Sequence, residues 1–192
     1  FYGYVADGIF QNQTEVNAHT DEYGTVIQPN AQPGDIRFKD LNHDGKLDDN
    51  DKTFIGNAFP DLMVGINARL AWKNIDFAAN FYGTIGNDVY NTTKGRYSGV
   101  SGENVYAGTY NASWHGEGTS YDLPRLSYND ANQNWTRVSS FYVEDGSYLR
   151  CKQLQIGYTL PKKWTKKISL RLSFSAQNPF TITGYSGMDP EA

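Results

Sequence analysis

From Leu62 to Trp72 the chain alternates strictly, with Leu62, Val64, Ile66, Ala68, Leu70 and Trp72 on even positions and Met63, Gly65, Asn67, Arg69 and Ala71 between them. Successive side chains of a strand point to opposite faces, so this period of two specifies a β-strand with one apolar face and one polar or small face. Beyond Lys73-Asn74 the pattern resumes, with Ile75, Phe77, Ala79 and Phe81 set against Asp76, Asn80 and Tyr82. It returns near the C-terminus as Ile168, Leu170, Leu172, Phe174 and Ala176 against Ser169, Arg171, Ser173, Ser175 and Gln177. Strands of about ten residues with an unbroken apolar face and an Arg-containing reverse face are what a membrane-spanning β-barrel requires. A soluble sandwich produces the same alternation, so spacing alone does not separate the two.

The connections do separate them. Strands are expected at 62–72, 75–83, 147–160 and 168–178, all antiparallel in one sheet. The first pair is joined by two or three residues and the second by the basic turn Pro161-Lys162-Lys163-Trp164-Thr165-Lys166-Lys167, whereas 11–61 and 84–145 read as long polar loops. Loops of that length are unusual in compact soluble domains. Short turns on one side and long loops on the other are the asymmetry of bacterial outer-membrane barrels, the short side being periplasmic. Trp72 and Trp164 then fall at the periplasmic boundary, where indoles favour the interface. Within 147–160 the apolar residues switch from odd positions (Leu149, Cys151) to even ones (Leu154, Ile156, Tyr158, Leu160), and a β-bulge near Lys152-Gln153 would restore one lipid-facing row.

Composition agrees with an all-β chain: 19 Gly and 14 Tyr among 192 residues favour strands and turns. No run approaches the roughly 18 apolar residues of a spanning helix, which excludes a helical membrane protein but not a barrel. A net charge of -4 without a basic cluster argues against nucleic acid as partner. The single cysteine, Cys151, permits no intrachain disulfide and reads as a small apolar side chain. Phe1-Tyr2-Gly3-Tyr4 has no signal-peptide pattern, so the chain is expected to be an internal or C-terminal piece of an exported protein.

The sharpest local motif is Asp40-Leu41-Asn42-His43-Asp44-Gly45-Lys46-Leu47-Asp48-Asp49-Asn50-Asp51. Counting Asp40 as the first position, oxygen side chains fall at the EF-hand positions of Asp40, Asn42, Asp44, Asp48 and Asp51, with Gly45 at the sharp turn and the Lys46 carbonyl as a further ligand. A hard cation needs such an oxygen cage, so a structural calcium site is expected here. Asp, Asn and Gly also dominate ordinary turns. Asp at the last position is shorter than the usual Glu, which implies weak affinity.

Catalytic arrangements are not apparent. His19, His43 and His115 are scattered without zinc spacing, and Glu103 and Glu144-Asp145 read as solvated loop charges. Trp114, Trp135 and the loop tyrosines could stack on sugar rings or peptide side chains, although packing within the loops is their commoner role.

Several segments together resemble one family. Phe1-Tyr2-Gly3-Tyr4 with Asp7-Gly8-Ile9-Phe10-Gln11-Asn12, and Gly34 to Asp40 with Ile55-Gly56-Asn57, resemble stretches of the SusC/RagA-type TonB-dependent transporters of Bacteroidetes. So do Val143 to Arg150 with Gly157-Tyr158-Thr159-Leu160-Pro161, and Ser175 to Phe180 with Tyr185-Ser186-Gly187 and Asp189-Pro190-Glu191. Cys151 and Pro179 stand where leucine is usual. The resemblance implies that 1–192 is a late part of one barrel of about 22 strands, without its plug domain, set in outer-membrane lipid and completed by the remainder of the same barrel. It further implies import of glycans or peptides, energy from the TonB complex through an N-terminal part lying outside this chain, and a SusD-like surface lipoprotein as partner. The alternative is a secreted, calcium-stabilised carbohydrate-binding β-domain with a dockerin-like loop, using Trp114 and Trp135 as platforms.

Overall fold

The computed structural model describes residues 1–96, 100–102, 104–166 and 168–191, with the side chains of Arg96 and Ser101 left aside. Glu103 and Lys167 therefore lie outside the described residues. In chain order the strands are β1 (Tyr2–Tyr4), β2 (Ala6–Ile9), β3 (Ile36–Phe38), β4 (Lys52–Phe54), β5 (Leu62–Trp72), β6 (Ile75–Ile85), β7 (Asp88–Tyr90), β8 (Val143–Asp145), β9 (Tyr148–Thr159) and β10 (Arg171–Thr183). The chain divides into two compact units, Phe1–Asn57 with Tyr90–Val143, and Ala58–Val89 with Glu144–Ala192.

The second unit is a four-stranded antiparallel sheet in the order β10-β9-β6-β5. Its register places the alternating residues in continuous rows. Leu70 pairs with Phe77, Phe77 with Ile156 and Ile156 with Phe174, so an apolar row crosses all four strands on one face. Three residues along, Asn67 pairs with Asn80, Asn80 with Gln153 and Gln153 with Gln177, an amide row on the other face. The apolar face is bare: Leu172 is 60% exposed and Phe174 69%. Bare hydrocarbon on this scale is a surface made for lipid, not for water.

The bulge sits where the alternation breaks. Asn80 pairs with Gln153 while Phe81 pairs with Cys151, so Lys152 is the extra residue of β9. Cys151 thereby returns to the apolar face, where it is fully buried in a row with Phe81 and Phe180, whose rings lie 6.3 Å apart. Several strand ends differ from the expected ones: β6 runs on to Ile85 instead of 83, β9 spans Tyr148–Thr159 instead of 147–160, and β10 differs most. β10 begins at Arg171 instead of 168 and runs on past Pro179 to Thr183, because Asn178, at φ +48°, and Pro179 are absorbed in a register shift opposite the β9 bulge. Proline is tolerated at such a bulge, having no N–H to give the ladder.

The first unit is not the pair of structureless loops that its polarity suggests. β1 pairs with β4 and β2 with β3, and two small clusters form its core: Tyr4, Ile36 and Phe38, and Phe10, Val16 and Ala31. Helix α1 (Gln13–Ala18) starts at Asn12, whose side chain accepts the Glu15 N–H at 3.0 Å, while the Glu15 carboxylate accepts the Gln11 N–H at 2.8 Å. This reciprocal cap satisfies donors that the first helical turn leaves orphaned.

Candidate functional site

The polar face of the sheet carries the chemistry of the second unit. Near the short turns, Arg171 grips the Asp76 carboxylate with two N–H groups, at 3.1 and 2.5 Å. Further along, the Asn80 amide donates to Gln153 at 3.2 Å. Arg69, Asp76, Asn80, Gln153 and Gln155 line a depression of about 420 Å³. These groups offer hydrogen bonds and paired charges with no acid–base dyad, a surface suited to holding or passing polar molecules. Both short connections lie at one end of this sheet. There Trp72 and Trp164 are exposed, and the Lys73 ammonium sits 4.5 Å from the Trp72 ring centroid.

In the first unit, polar groups do what a larger core would otherwise do. Asp35 is fully buried and accepts from Arg125 Nε at 2.6 Å, Asn134 Nδ2 at 2.8 Å and the Gln32 N–H at 2.8 Å. Gln28 behaves as a surrogate strand beside β3, accepting from the Phe38 N–H at 2.8 Å and donating to the Ile36 carbonyl at 3.0 Å. Asp130 accepts the N–H groups of Asn134, Trp135 and Thr136, fixing the turn that carries Asn134. None of these roles shows in the alternation: the Asp35 partners Arg125 and Asn134 lie 90 and 99 residues away, and the local bonds of Gln28 and Asp130 leave no periodic trace. The only sequence signal was that Asp35 falls within a segment that resembles the family.

The two loop tryptophans are packing groups. Trp135 is buried and donates from Nε1 to the Arg125 carbonyl at 3.3 Å. Trp114 donates to Gln11 Oε1 at 3.3 Å and covers Gly34, leaving no room there for a Cβ. Trp135 has no free face of the kind that a sugar-stacking platform needs, and Trp114 is half-buried. His19 is half-buried with Nε2 3.1 Å from the Phe38 carbonyl, and burial pushes its pKa down. His115 contacts the Tyr110 carbonyl at 2.6 Å, and Glu144 accepts from Ser186. Burial also drives the Tyr142 hydroxyl pKa upward; its O–H donates to the Trp135 carbonyl at 2.5 Å.

The acidic loop keeps its side chains occupied with its own backbone. Asp40 accepts the N–H groups of His43 at 2.7 Å and Gly45 at 2.8 Å, and Asp44 accepts that of Lys46 at 3.0 Å and the Asn42 amide at 2.9 Å. Asp48 accepts from the Asn50 N–H at 2.8 Å. Asp51 is fully buried, taking the N–H of Leu41 at 2.9 Å and of Asp48 at 2.8 Å. Gly45 turns at φ +78°, as its position requires. Among the described residues no three His, Cys, Asp or Glu side chains are grouped as an ion would need.

Comparison with known proteins places these features. No family model matches the chain. It is 35% identical over its whole length to TonB-dependent receptor P3 of Formosa agariphila, and 26% identical over 94% of its length to TonB-dependent receptor SusC of Bacteroides thetaiotaomicron. In each case it spans 18% of the relative. Its fold matches that of the RagAB peptide transporter with a TM-score of 0.70 at 20% identity, over all of this chain and 20% of that one. The RagAB peptide importer in its "open-open" state matches with a TM-score of 0.68, also at 20% identity. With its lipid-suited apolar face, polar reverse face and these relatives, the chain belongs to the SusC/RagA-type TonB-dependent receptors, β-barrel proteins of the bacterial outer membrane.

Proposed function

We propose that this chain is a wall segment of an active importer that carries a polar nutrient, glycan or peptide, across the outer membrane. The observation that carries the reading is the two-faced sheet: an unbroken apolar row over four strands, backed by amides, Arg69 and the Asp76–Arg171 pair. Such a wall seals against lipid and lets polar solutes pass on the inside. Its relatives are named as receptors and peptide importers, which supports transport over catalysis. Energy is supplied by the TonB complex, and a SusD-like lipoprotein works with the barrel from the cell surface. The test is uptake of labelled oligosaccharide and oligopeptide pools by cells with and without the full-length protein. Uptake of at least one pool that needs both the protein and TonB supports the reading; uptake of both pools unaffected by its loss overturns it.

The Asp40–Asp51 loop belongs to the proposal as a weak calcium clip. Asp40, Asn42, Asp44, Asp48 and Asp51 hold oxygens at the spacing a calcium cage uses, and the Lys46 carbonyl would complete it. Asp51 at the last position is shorter than the usual bidentate Glu, so only weak affinity is expected. Calorimetry on the intact protein should show calcium uptake that Asp44→Ala abolishes. No heat in the unsubstituted protein removes the clip and leaves the transport reading untouched.

A further inference from the structure

The segment after β10, Gly184–Glu191, is tied to the polar face of the sheet by a compact set of ion pairs. Arg150 of β9 is itself buried, and its Nε donates to Thr181 Oγ1 of β10 at 2.9 Å. That leaves the two ends of its fork for the segment: Nη1 reaches Glu191 at 2.6 Å and Nη2 reaches Asp189 at 2.5 Å. Lys152, the residue set apart by the bulge, places its ammonium 2.6 and 2.7 Å from the two oxygens of Glu191. At the segment's other end, Ser186 donates from its N–H and its hydroxyl to Glu144, both at 2.8 Å.

The two sides of this contact are built differently. Arg150 is held within the sheet by Thr181 and flanked by the Tyr148 ring, whose centroid lies 5.6 Å away. The segment brings little apolar anchorage: Met188 is 93% exposed, the half-buried Tyr185 ring folds onto Gly187 of the segment itself, and Pro190 is half-buried. Asp189 and Glu191 keep 43% and 33% of their side chains exposed, so salt reaches their side of the pairs even though Arg150 is buried. A segment held largely by such pairs is within reach of release.

We propose that Gly184–Glu191 is a releasable strap, clamped through Asp189 and Glu191 by the two cations Arg150 and Lys152 on the inner face of the barrel wall. Closed, the strap neutralises both cations. Open, it presents them to whatever occupies the interior at the long-loop end. The device is independent of which nutrient is carried.

The test is a nitroxide label on Met188→Cys in the intact outer-membrane protein, Cys151 being buried. The strap predicts a restricted spectrum in dilute buffer. The mobile fraction should rise several-fold when Asp189→Asn and Glu191→Gln are combined. Raising salt from about 0.05 M to about 1 M, where the screening length shrinks to about 3 Å, should produce the same shift with the label as the sole substitution. A label already mobile in dilute buffer overturns the proposal, because no clamped state exists. A label that stays restricted through both treatments also overturns it, because something other than the ion pairs holds the segment. The salt arm needs no charge substitution, so misfolding of the double variant cannot obscure the answer.

Discussion

Asp35 shows how one buried carboxylate can organise a loop-rich unit. Its three donors come from Gln32, Arg125 and Asn134, so a single side chain gathers two distant stretches of chain. Breaking a fully buried ion pair costs about 3–5 kcal/mol, and the partial exposure of Arg125, 22%, lowers the expectation for Asp35→Ala to about 2–3 kcal/mol. Hydrogen exchange at Ile36 and Phe38 in the intact protein should speed up accordingly, while the barrel strands keep their protection. His19 gives this unit a pH dependence. Burial holds its pKa below the usual 6.5, with the hydrogen bond to the Phe38 carbonyl opposing the shift. The folded unit therefore resists a proton that the unfolded chain accepts. Its stability is full above about pH 6.5 and falls as the pH drops through the window between the unfolded and the lower folded value. The same exchange measurement from about pH 7 to about pH 5 should show this loss, and His19→Gln should flatten it.

At the scale of the strand, the face a residue occupies should decide what a charge costs. Phe174 and Ser175 are neighbours on β10, but Phe174 belongs to the apolar row and Ser175 to the polar one. Phe174→Arg should destabilise the assembled barrel by about 2–4 kcal/mol if it lies near the bilayer midplane, and Ser175→Arg by much less. Heat-modified migration of the full-length protein on detergent gels reads the difference. The bulge at Lys152 can be tested in the same way. Deleting Lys152 would remove the bulge and leave Cys151 beside Gln153 on the faces they already occupy, so the barrel should still assemble. Deleting Gln155, in the regular part of β9, would turn the residues from Tyr148 to Leu154 over and send Arg150 toward lipid, and assembly should fail.

At the scale of the whole molecule, the edges of the sheet are unfinished. β5 and β10 each have a neighbour on one side only, and open edges are not tolerated in lipid, so further strands must flank them. Residues 1–192 produced alone are expected to aggregate in detergent-free buffer; a stable monomer there would contradict a lipid-facing sheet. Topology across the membrane has its own test. On intact cells carrying the full-length protein, Thr119→Cys in the long connection should react with an impermeant thiol reagent, while Lys163→Cys in the short turn should stay protected. The reverse pattern would invert the orientation.

The strands of the sheet were legible in the chain because a period of two over about ten residues is a local signal, and Leu62–Trp72 begins and ends where its alternation does. The bulge was legible for the same reason, since the apolar parity of β9 changes once and one inserted residue repairs it. The C-terminal end of β10 was misjudged because Pro179 stops a strand in isolation and not when it falls within a register shift shared with its neighbour. The Asp40–Asp51 spacing could be read, but not the fact that its carboxylates serve the backbone, since hydrogen bonds leave no trace in spacing. Residues 11–61 and 84–145 resisted most. Their apolar residues are few and their order comes largely from Gln28, Asp35, Arg125, Asn132 and Asn134, which pair over long separations. Alternation is written along the chain and so determined the membrane wall; a polar network exists only once distant segments meet, and that was decided by the tertiary structure.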